Sequence, residues 1–462
     1  MKVVLINPSM GTYYEHAPVR AAITLSPPLN LAVLAGGLLL DGHSVEIWDL
    51  EAGPIDLEGA LARSKPDLVG ITFRTPLFPE ARRIAALVRL AAPGALLVAG
   101  GVHASTRPDE TLKRGDFDIV VRGEGDLALR EIAGGARQGP GLTTAHHVGE
   151  DRPAIEDLDS LPMPAWELFD LSRYQQPSLV ARQVPVVDLE SSRGCLAKCV
   201  YCTKGVFGSA YRMKSPERFV DEIEHARRAG FVGFNLVDDS FTTRTSRAKA
   251  ICEELIRRDL RMPWTCTNGI RVANVDEEYF QVARRSGNWL VAFGFESGSD
   301  EVLKRIKKGA TVRQARRAVE WARKVDMTIL GYFMVGLPGE TRQTIEETAR
   351  FAASLDIDFA KFSITMPLPG TPLYDDWAPV IRDPEQTDFS IHKPGVHLFD
   401  HPDFTWPELE AHTRAAYRTF YGRPGYVARR LARSLRDGQF RREGRYALSM
   451  VLPNAMETFA RR

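Results

Sequence analysis

Three of the chain's five cysteines, Cys195, Cys199 and Cys202, crowd into the stretch SSRGCLAKCVYC at 191–202. Thiolates are the ligands of zinc and of iron–sulfur clusters, and a closed structural zinc site takes four nitrogen or sulfur donors. This loop supplies three. Cys252, inside the helical pattern AICEELIRR, and Cys266, in WTCTNG, lack ligand-like spacing and read as small core residues, and no histidine adjoins the loop in sequence. A four-iron cubane held by three thiolates keeps one iron free for a small molecule. A structural zinc loop is the competing reading of the same spacing.

A loop that presents three thiolates needs a rigid frame, and the flanking sequence supplies one. From 186 the candidate strands VVDLE, GFNLV, WTCT, WLVAFGFE, MTILGYFMVG and DFAKFSIT alternate with helical patterns. Ser215, Pro216 and Glu217 suit the Ncap, N1 and N2 positions of a helix that Gly230 would end. Six strand and helix units predict an open parallel barrel whose ligands gather at the C-terminal strand ends. Before it, residues 1–135 carry five apolar runs, VVLIN, VEIWD, DLVGIT, ALLVAGG and FDIVV, separated by helical patterns, which predicts a doubly wound parallel sheet. Residues 136–185, rich in Gly, Pro and polar residues without a sustained period, read as a linker.

Length and composition agree with this plan. A chain of 462 residues favours two or three domains, and 44% hydrophobic residues, 26% charged residues and a net charge of +1 describe a globular protein with no general affinity for nucleic acid. The start MKVVLINPS reads as a buried strand without the regions of a signal peptide, the longest apolar run, LAVLAGGLLL, is too short to span a bilayer, and the odd cysteine count suits a reducing compartment. A cytoplasmic location is the expectation. From Arg423 onward ten arginines face Asp437, Glu443 and Glu457, a net of +7, which reads either as a solvated helical face or as a surface for an anionic membrane or a phosphate-bearing substrate.

CxxxCxxC directly after a strand that opens a six-unit parallel sheet resembles the radical S-adenosylmethionine enzymes, in which the free iron chelates the amino and carboxylate groups of that cofactor and the reduced cluster splits it to a 5′-deoxyadenosyl radical. The resemblance implies cofactor contacts at the strand ends. Tyr201 holds the bulky position before the third cysteine, near adenine. NLVDDSFT places Asp238 and Asp239 where the family contacts the methionyl amine, and GFESGSDEVLKRIKKG places Glu296 and Ser297 where it holds ribose or the methionyl end. GYFMVGLPGET offers Gly336 and Gly339, with Glu340, for close approach of the nucleoside, and TMPLPGTPLY, with Pro369 and Gly370, follows the sixth strand. Each of these pieces also has a plainer reading as a turn or cap.

Residues 1–135 resemble the Rossmann-like cobalamin-binding domain that precedes the radical module in one branch of the family, through SPPLNLAVLAGGLLLDGHSVEIWD, VAGGVHAS and VVRGEGD. The implied cobalamin contacts are Gly100, Gly101, His103, Gly123 and Gly125, at the rim where doubly wound folds receive ligands. The DxHxxG motif that supplies a histidine beneath cobalt in many cobalamin proteins is missing: DGHSVE has Glu46 in place of glycine and precedes the second strand, so His43 reads as a turn residue. The lower ligand of cobalt is left open. The implied fold class is α/β: a cobalamin-binding domain at 1–135, a partial (β/α)6 TIM-like radical domain at 186–390, and a helical C-terminal region at 391–462.

By this resemblance the activity is a radical methyltransferase acting on an unactivated carbon of a small-molecule or lipid-like substrate, with a 4Fe-4S cluster, S-adenosylmethionine and cobalamin as cofactors and a flavodoxin or ferredoxin as reductant. Two alternatives stand beside it: a cobalamin-dependent oxidoreductase or cyclase that transfers no methyl group, and a cobalamin-binding sensor or carrier. Methylthio transfer would need a second cysteine trio, and residues 1–194 contain no cysteine. An auxiliary cluster is disfavoured because none follows Cys266.

Overall fold

Alternating apolar side chains bury both faces of each front strand. The computed structural model describes residues 1–11, 25–175, 178–382, 397–440 and 443–444. Strands β1 (Lys2–Asn7), β2 (Ser44–Asp49), β3 (Leu68–Thr72), β4 (Leu96–Gly100) and β5 (Ile119–Val121) pair in parallel in the order 2-1-3-4-5. The intervening helices are α1 (Leu29–Leu40), α2 (Leu57–Ser64), α3 (Phe78–Ala91), α4 (Val102–Thr106), α5 (Pro108–Gly115) and α6 (Gly125–Ala133). Val3, Leu5 and Val98 pack with α1 and α6, whereas Val4, Ile6 and Leu97 pack with α2 and α3, the two-residue period of a strand covered on both sides.

The stretch 136–185 does more than link. Strands β6 (Leu142–Thr144) and β7 (His147–Val148) extend the front sheet antiparallel beyond β5. Beyond them Tyr174 donates its hydroxyl to Asp49 at 2.6 Å, and the buried Trp166 meets Phe231 edge-on at 5.4 Å. Strands this short, set between glycines, leave too few alternating residues for a period to register.

Strand β8 (Val186–Leu189) opens the second sheet and leads into a short antiparallel ribbon, β9 (Ser192–Arg193) with β10 (Arg212–Met213), which pinches shut the loop bearing the three cysteines. Helix α7 (Pro216–Arg228) follows, capped as the sequence predicts: the Arg218 N–H donates to Ser215 Oγ at 3.1 Å, and Gly230, at φ +107°, turns the chain out. The remaining strands are β11 (Gly233–Leu236), β12 (Trp264–Cys266), β13 (Asn288–Glu296), β14 (Thr328–Val335) and β15 (Phe359–Ile364). They stand in chain order after β8, all parallel, and β8 and β15 are left as free edges of an open barrel. Helices α8 (Thr245–Arg257), α9 (Glu277–Arg285), α10 (Asp300–Arg305), α11 (Val312–Lys324) and α12 (Arg342–Ser354) form its outer layer, followed by α13 (Pro372–Asp376), α14 (Trp406–Tyr421) and α15 (Pro424–Arg436).

The basic C-terminal stretch divides its charge. Arg430 and Arg433 turn inward to the buried Asp358 at 2.7 and 3.0 Å and dock α15 on the barrel, whereas Arg429 and Arg436 pair with Asp356 and Asp326 at the solvated surface. The exposed side of α15 also carries Val427, Leu431 and Leu435. Arg441, Arg442, Arg445, Arg461 and Arg462 lie outside the described residues. Among the described residues no helix is long and apolar enough to cross a membrane.

The two domains meet through buried charge. Arg193, on β9, holds Glu124 at 2.7 Å, Asp126 at 3.0 Å and Glu190 at 2.7 Å, and Arg212, on β10, reaches Glu124 at 2.5 Å. Removing one member of a buried ion pair leaves the others uncompensated. Arg193→Met is therefore expected to lower unfolding stability by about 3–5 kcal/mol. The check is a urea titration of the full chain, in which an unchanged midpoint would refute the role given to Arg193.

Candidate functional site

Asp238 fixes the base of the cysteine loop. Its buried carboxylate accepts the backbone N–H and hydroxyl of Ser191, each at 2.6 Å, and the hydroxyl of Ser192, while Arg247 donates to the carbonyls of Ser191 and Lys214. Burial raises its pKa to about 6 against these stabilising contacts. Among the described residues its neighbour Asp239 accepts one N–H, that of Gly194, at 3.3 Å, and burial raises its pKa as well. Of the two acids at the end of β11, Asp238 is thus committed to the frame, and Asp239 is the one with oxygens to offer a ligand.

The loop opens on a cavity of about 340 Å³ lined by Cys195, Cys199, Tyr201, Cys202, Asp238, Asp239 and Glu296. Seven residues picked from the sequence therefore share one wall. Burial, together with Cys199, Asp239 and Cys195, pushes the Cys202 thiol up to about 11, so a group bringing positive charge is what this donor set suits. Three thiols on one loop are the donors that a cubane takes at three of its corners. The donor set fits a four-iron cluster.

Glu296 ends β13 at φ +65°, next to an irregularity in the pairing with β14, which aims its side chain into the cavity, where Lys308 donates to it at 2.7 Å. Lys308 also reaches the Tyr201 hydroxyl at 3.4 Å. The end of β12 completes the wall with Asn268 and Gly269. Gly269 sits at φ +80°, and a Cβ there would meet the Asp238 carbonyl at 2.7 Å. Sequence reading passed over Lys308 and this turn, although the Asn-Gly pair after a strand is itself a turn signal.

Three of the nucleoside contacts implied by the resemblance lie off this wall. Ser297 is buried, sharing a hydrogen bond with Thr348 Oγ1 at 3.1 Å and accepting from the Ser299 N–H, so it braces β13 against α12. Gly339 is covered by Arg305, which donates to its carbonyl. Gly336 is clamped from both sides: Glu340 accepts the N–H groups of Gly336 and Leu337 at 2.8 and 2.9 Å, and His401, whose Nδ1 accepts the Asp403 N–H, donates from Nε2 to the Gly336 carbonyl at 2.9 Å. Nothing in the sequence around His401 announced this contact across the fold.

A second cavity, of about 160 Å³, lies at the C-terminal rim of the front sheet, between α1 and α6. Gly100, Gly101, Gly123 and Gly125 line it, and so do Glu190, Arg193, Val206 and Phe207 from the cysteine loop and its base. A Cβ on Gly100 would meet nothing within 4 Å, and one on Gly123 only the Val206 carbonyl at 3.8 Å, so side chains there would fill the cavity itself. That cradle fits a nucleotide tail or corrin edge. His103 is a correction: it does not line the cavity but is buried against Phe78, ring to ring at 4.4 Å, and burial lowers its pKa to about 4. An apolar pocket beside α3 wins over the rim because the first turn of α4 points the ring under the sheet. Among the described residues no histidine lines the cavity.

Residues 189–352 match the model of the Radical SAM superfamily, and residues 18–133 match that of the B12 binding domain. An uncharacterised methyltransferase of Pyrococcus horikoshii is 31% identical over 94% of this chain and 98% of its own length. The anaerobic magnesium-protoporphyrin IX monomethyl ester cyclase of Rubrivivax gelatinosus is 30% identical over 76% of this chain and 66% of its own length. Among solved structures, the radical S-adenosylmethionine methyltransferase TsrM from Kitasatospora setae, with cobalamin and a [4Fe-4S] cluster bound, superposes with a TM-score of 0.66 at 23% identity, covering 82% of this chain and 74% of that one.

Two expectations test the site. Gly100→Leu should weaken cobalamin binding by roughly tenfold or more, about 1–3 kcal/mol of overpacking, while His103→Phe leaves it unchanged; retention of hydroxocobalamin, read by absorbance, decides, and equal loss in both variants would contradict the assignment. Glu340 gives a pH signature, because burial raises its pKa from 4.5 to about 7. Between those values the folded chain keeps a proton that the unfolded chain has lost, so stability falls as pH rises through this window and levels above it. Relative to Glu340→Gln, the wild type should lose roughly 3 kcal/mol between pH 4.5 and about pH 8. Urea titrations at the two ends check this, and parallel curves would exclude it.

Proposed function

The chain belongs to the radical S-adenosylmethionine enzymes that carry a B12-binding domain, and on that premise we propose that it is a methyltransferase acting on an unactivated carbon of a small molecule. Its cofactors are a 4Fe-4S cluster, S-adenosylmethionine and cobalamin. When bound, they supply a 5′-deoxyadenosyl radical that removes hydrogen from such a carbon and the methyl group that the carbon takes up.

The residues divide these tasks. Cys195, Cys199 and Cys202 hold the cluster. Asp239 and Glu296 receive the polar end of the sulfonium cofactor, Lys308 holds the Glu296 carboxylate in place, and Tyr201 packs beside it. Gly100, Gly101, Gly123 and Gly125 admit the corrin. The observation that carries the reading is that one loop borders both cavities: its cysteines face one, and Val206 and Phe207 face the other. A methyl donor and a hydrogen-abstracting group held on two sides of a single loop can act on the same substrate carbon, and the apolar Val206 and Phe207 help keep water from it.

The cyclase resemblance supports a second reading without methyl transfer, yet that match spans 66% of the cyclase, against 98% of the Pyrococcus methyltransferase. A flavodoxin or ferredoxin as electron donor and a cytoplasmic location follow the same reading, the latter supported by five free thiols. Peripheral contact with an anionic membrane would rest on the outward Val427, Leu431 and Leu435 and on arginines beyond Phe440, since those of α15 are paired. The deciding experiment is anaerobic incubation of reconstituted, reduced enzyme with S-adenosylmethionine and substrate extracts. Methyl transfer requires both S-adenosylhomocysteine and 5′-deoxyadenosine, and deoxyadenosine alone would favour the cyclase reading.

A further inference from the structure

Beneath the cysteine cavity the open barrel encloses another chamber, of about 320 Å³, and Thr267 and Tyr332 stand in the walls of both. Its lining includes six aromatic side chains, Phe234, Trp289, Tyr332, Phe359, Tyr417 and Tyr421, among aliphatic and polar residues. A polar strip crosses one side. Asp188 accepts from Ser26 Oγ at 2.7 Å and from Asn235 Nδ2 at 2.9 Å, and the Asn235 carbonyl accepts from the hydroxyls of Thr265 and Thr267, each at 2.9 Å. These groups satisfy one another.

Lys361 does not share in this. It lies on β15 opposite Tyr332 in the register, lines the chamber, and has no hydrogen bond or ion pair among the described residues. Its side chain is exposed, open to the chamber, and the protein around it lowers its pKa by partial desolvation. Arg182, the chamber's other cation, is already engaged, with Asp437 at 3.3 Å and the Trp289 ring at 4.1 Å. An ammonium group that faces a chamber and has no protein partner is free to make a charge-assisted contact with an anionic group that enters.

We propose that this chamber is the substrate site and that Lys361 receives the substrate's anionic group, so that the substrate is a flat or apolar molecule bearing a carboxylate or a phosphate. The assignment rests on the function proposed above and names the substrate class for it. Because Lys361 is in register with Tyr332, an anion held there fixes the rest of the molecule along the wall that leads to the cysteine cavity. The aromatic side chains then offer ring faces to a planar or hydrocarbon body. Lys361 acts as a specificity residue.

The test uses the reconstituted enzyme with cluster, S-adenosylmethionine and cobalamin bound, titrated calorimetrically with 1-naphthoate, 1-naphthyl phosphate and 1-naphthol. At least one anion should bind about tenfold or more tightly than the neutral naphthol, the ordinary scale for a charge-assisted contact, and the better of the two tells carboxylate from phosphate. Lys361→Met, or Lys361→Gln should the first not fold, should erase that preference, and Lys361→Arg should retain it. Naphthol binding as tightly as the anions, no probe binding at all, or a preference that survives both neutral variants would overturn the proposal. Substrate-free formation of 5′-deoxyadenosine by the same preparations reports separately on the family chemistry. If that product forms and the anion preference is absent, the inference about Lys361 fails alone; if the preference is present and no such product forms, the chamber binds anions but is not a radical substrate site.

Discussion

The buried contact between Arg193 and the acids of the front sheet is the constraint on which the geometry of the site depends. Arg193 stands two residues before the first cysteine of the loop, and its partners Glu124 and Asp126 belong to the same turn as Gly123 and Gly125 at the rim of the second cavity. One guanidinium thus ties the two cavities together. A buried ion network of this kind adds little net stability compared with apolar packing, but it tolerates few alternative arrangements. Close backbone approach reinforces it. A Cβ on Gly205, in the cysteine loop, would meet Thr106 of α4 at 2.6 Å, and one on Gly370, after β15, would meet the same side chain at 2.4 Å. The front domain can sit this near the loop only because both positions lack a side chain.

An open barrel carries a second demand, since its edge strands leave backbone groups unpaired. On β15 the hydroxyl of Tyr421 accepts from the Ala360 N–H and donates to its carbonyl, and Tyr417 does the same for Phe362. Helix α14 thereby finishes the edge with side chains where a seventh strand would otherwise stand. Asp358, at the start of β15, is held charged against its burial by Arg323 and Arg430, with Arg433 beside them, which locks α15 beneath the same edge. The C-terminal helices close the chamber laterally while leaving its interior free. The two tyrosines that satisfy the backbone also line the chamber, so the same residues serve closure and recognition.

Much of this was legible in the sequence because local signals carried it. Apolar runs marked the five parallel strands of the front sheet and all six barrel strands, but not β6 and β7, and Ser215 with Pro216 announced α7. The cysteine spacing, Tyr201, Asp239 and Glu296 could be assigned because each follows a strand whose end must lie at one rim. Contacts made by distant segments were not legible. His401 reaches Gly336 across 65 positions of sequence, and Tyr374 in TMPLPGTPLY stacks under Arg107 of the front domain. The resemblance implies ligand contacts for Ser297 and Asp238 as well, but Ser297 turns to Thr348, and Asp238, although it lines the cavity, spends its carboxylate on Ser191 and Ser192. His103 went astray for a similar reason: a glycine-rich rim invites a polar reading, while one turn of helix is enough to carry the ring into an apolar pocket.

The cysteine cavity shows why a charged cofactor and its protein frame are inseparable. Three carboxylates, Asp238, Asp239 and Glu296, and three thiols line it, and the cations facing them are Lys204, Lys308 and Arg271. Lys308 is taken up by Glu296, Lys204 by the Cys195 carbonyl at 2.7 Å, and Arg271 by the Lys308 carbonyl at 2.9 Å. Lys308 lowers the Cys202 pKa, yet burial and the neighbouring Cys199, Asp239 and Cys195 outweigh it and hold its proton well above the ordinary range. The charge that would deprotonate the thiols has to arrive with the group they bind, which couples cluster insertion to proton release. Asp239 gains from the same event, since burial raises its pKa and a positively charged occupant would lower it again. The frame built by Asp238, Ser191, Ser192 and Arg247 needs no such help, because it is complete before any cofactor enters. Its rigidity is what lets the loop above it present three thiols whose own charges are not yet balanced.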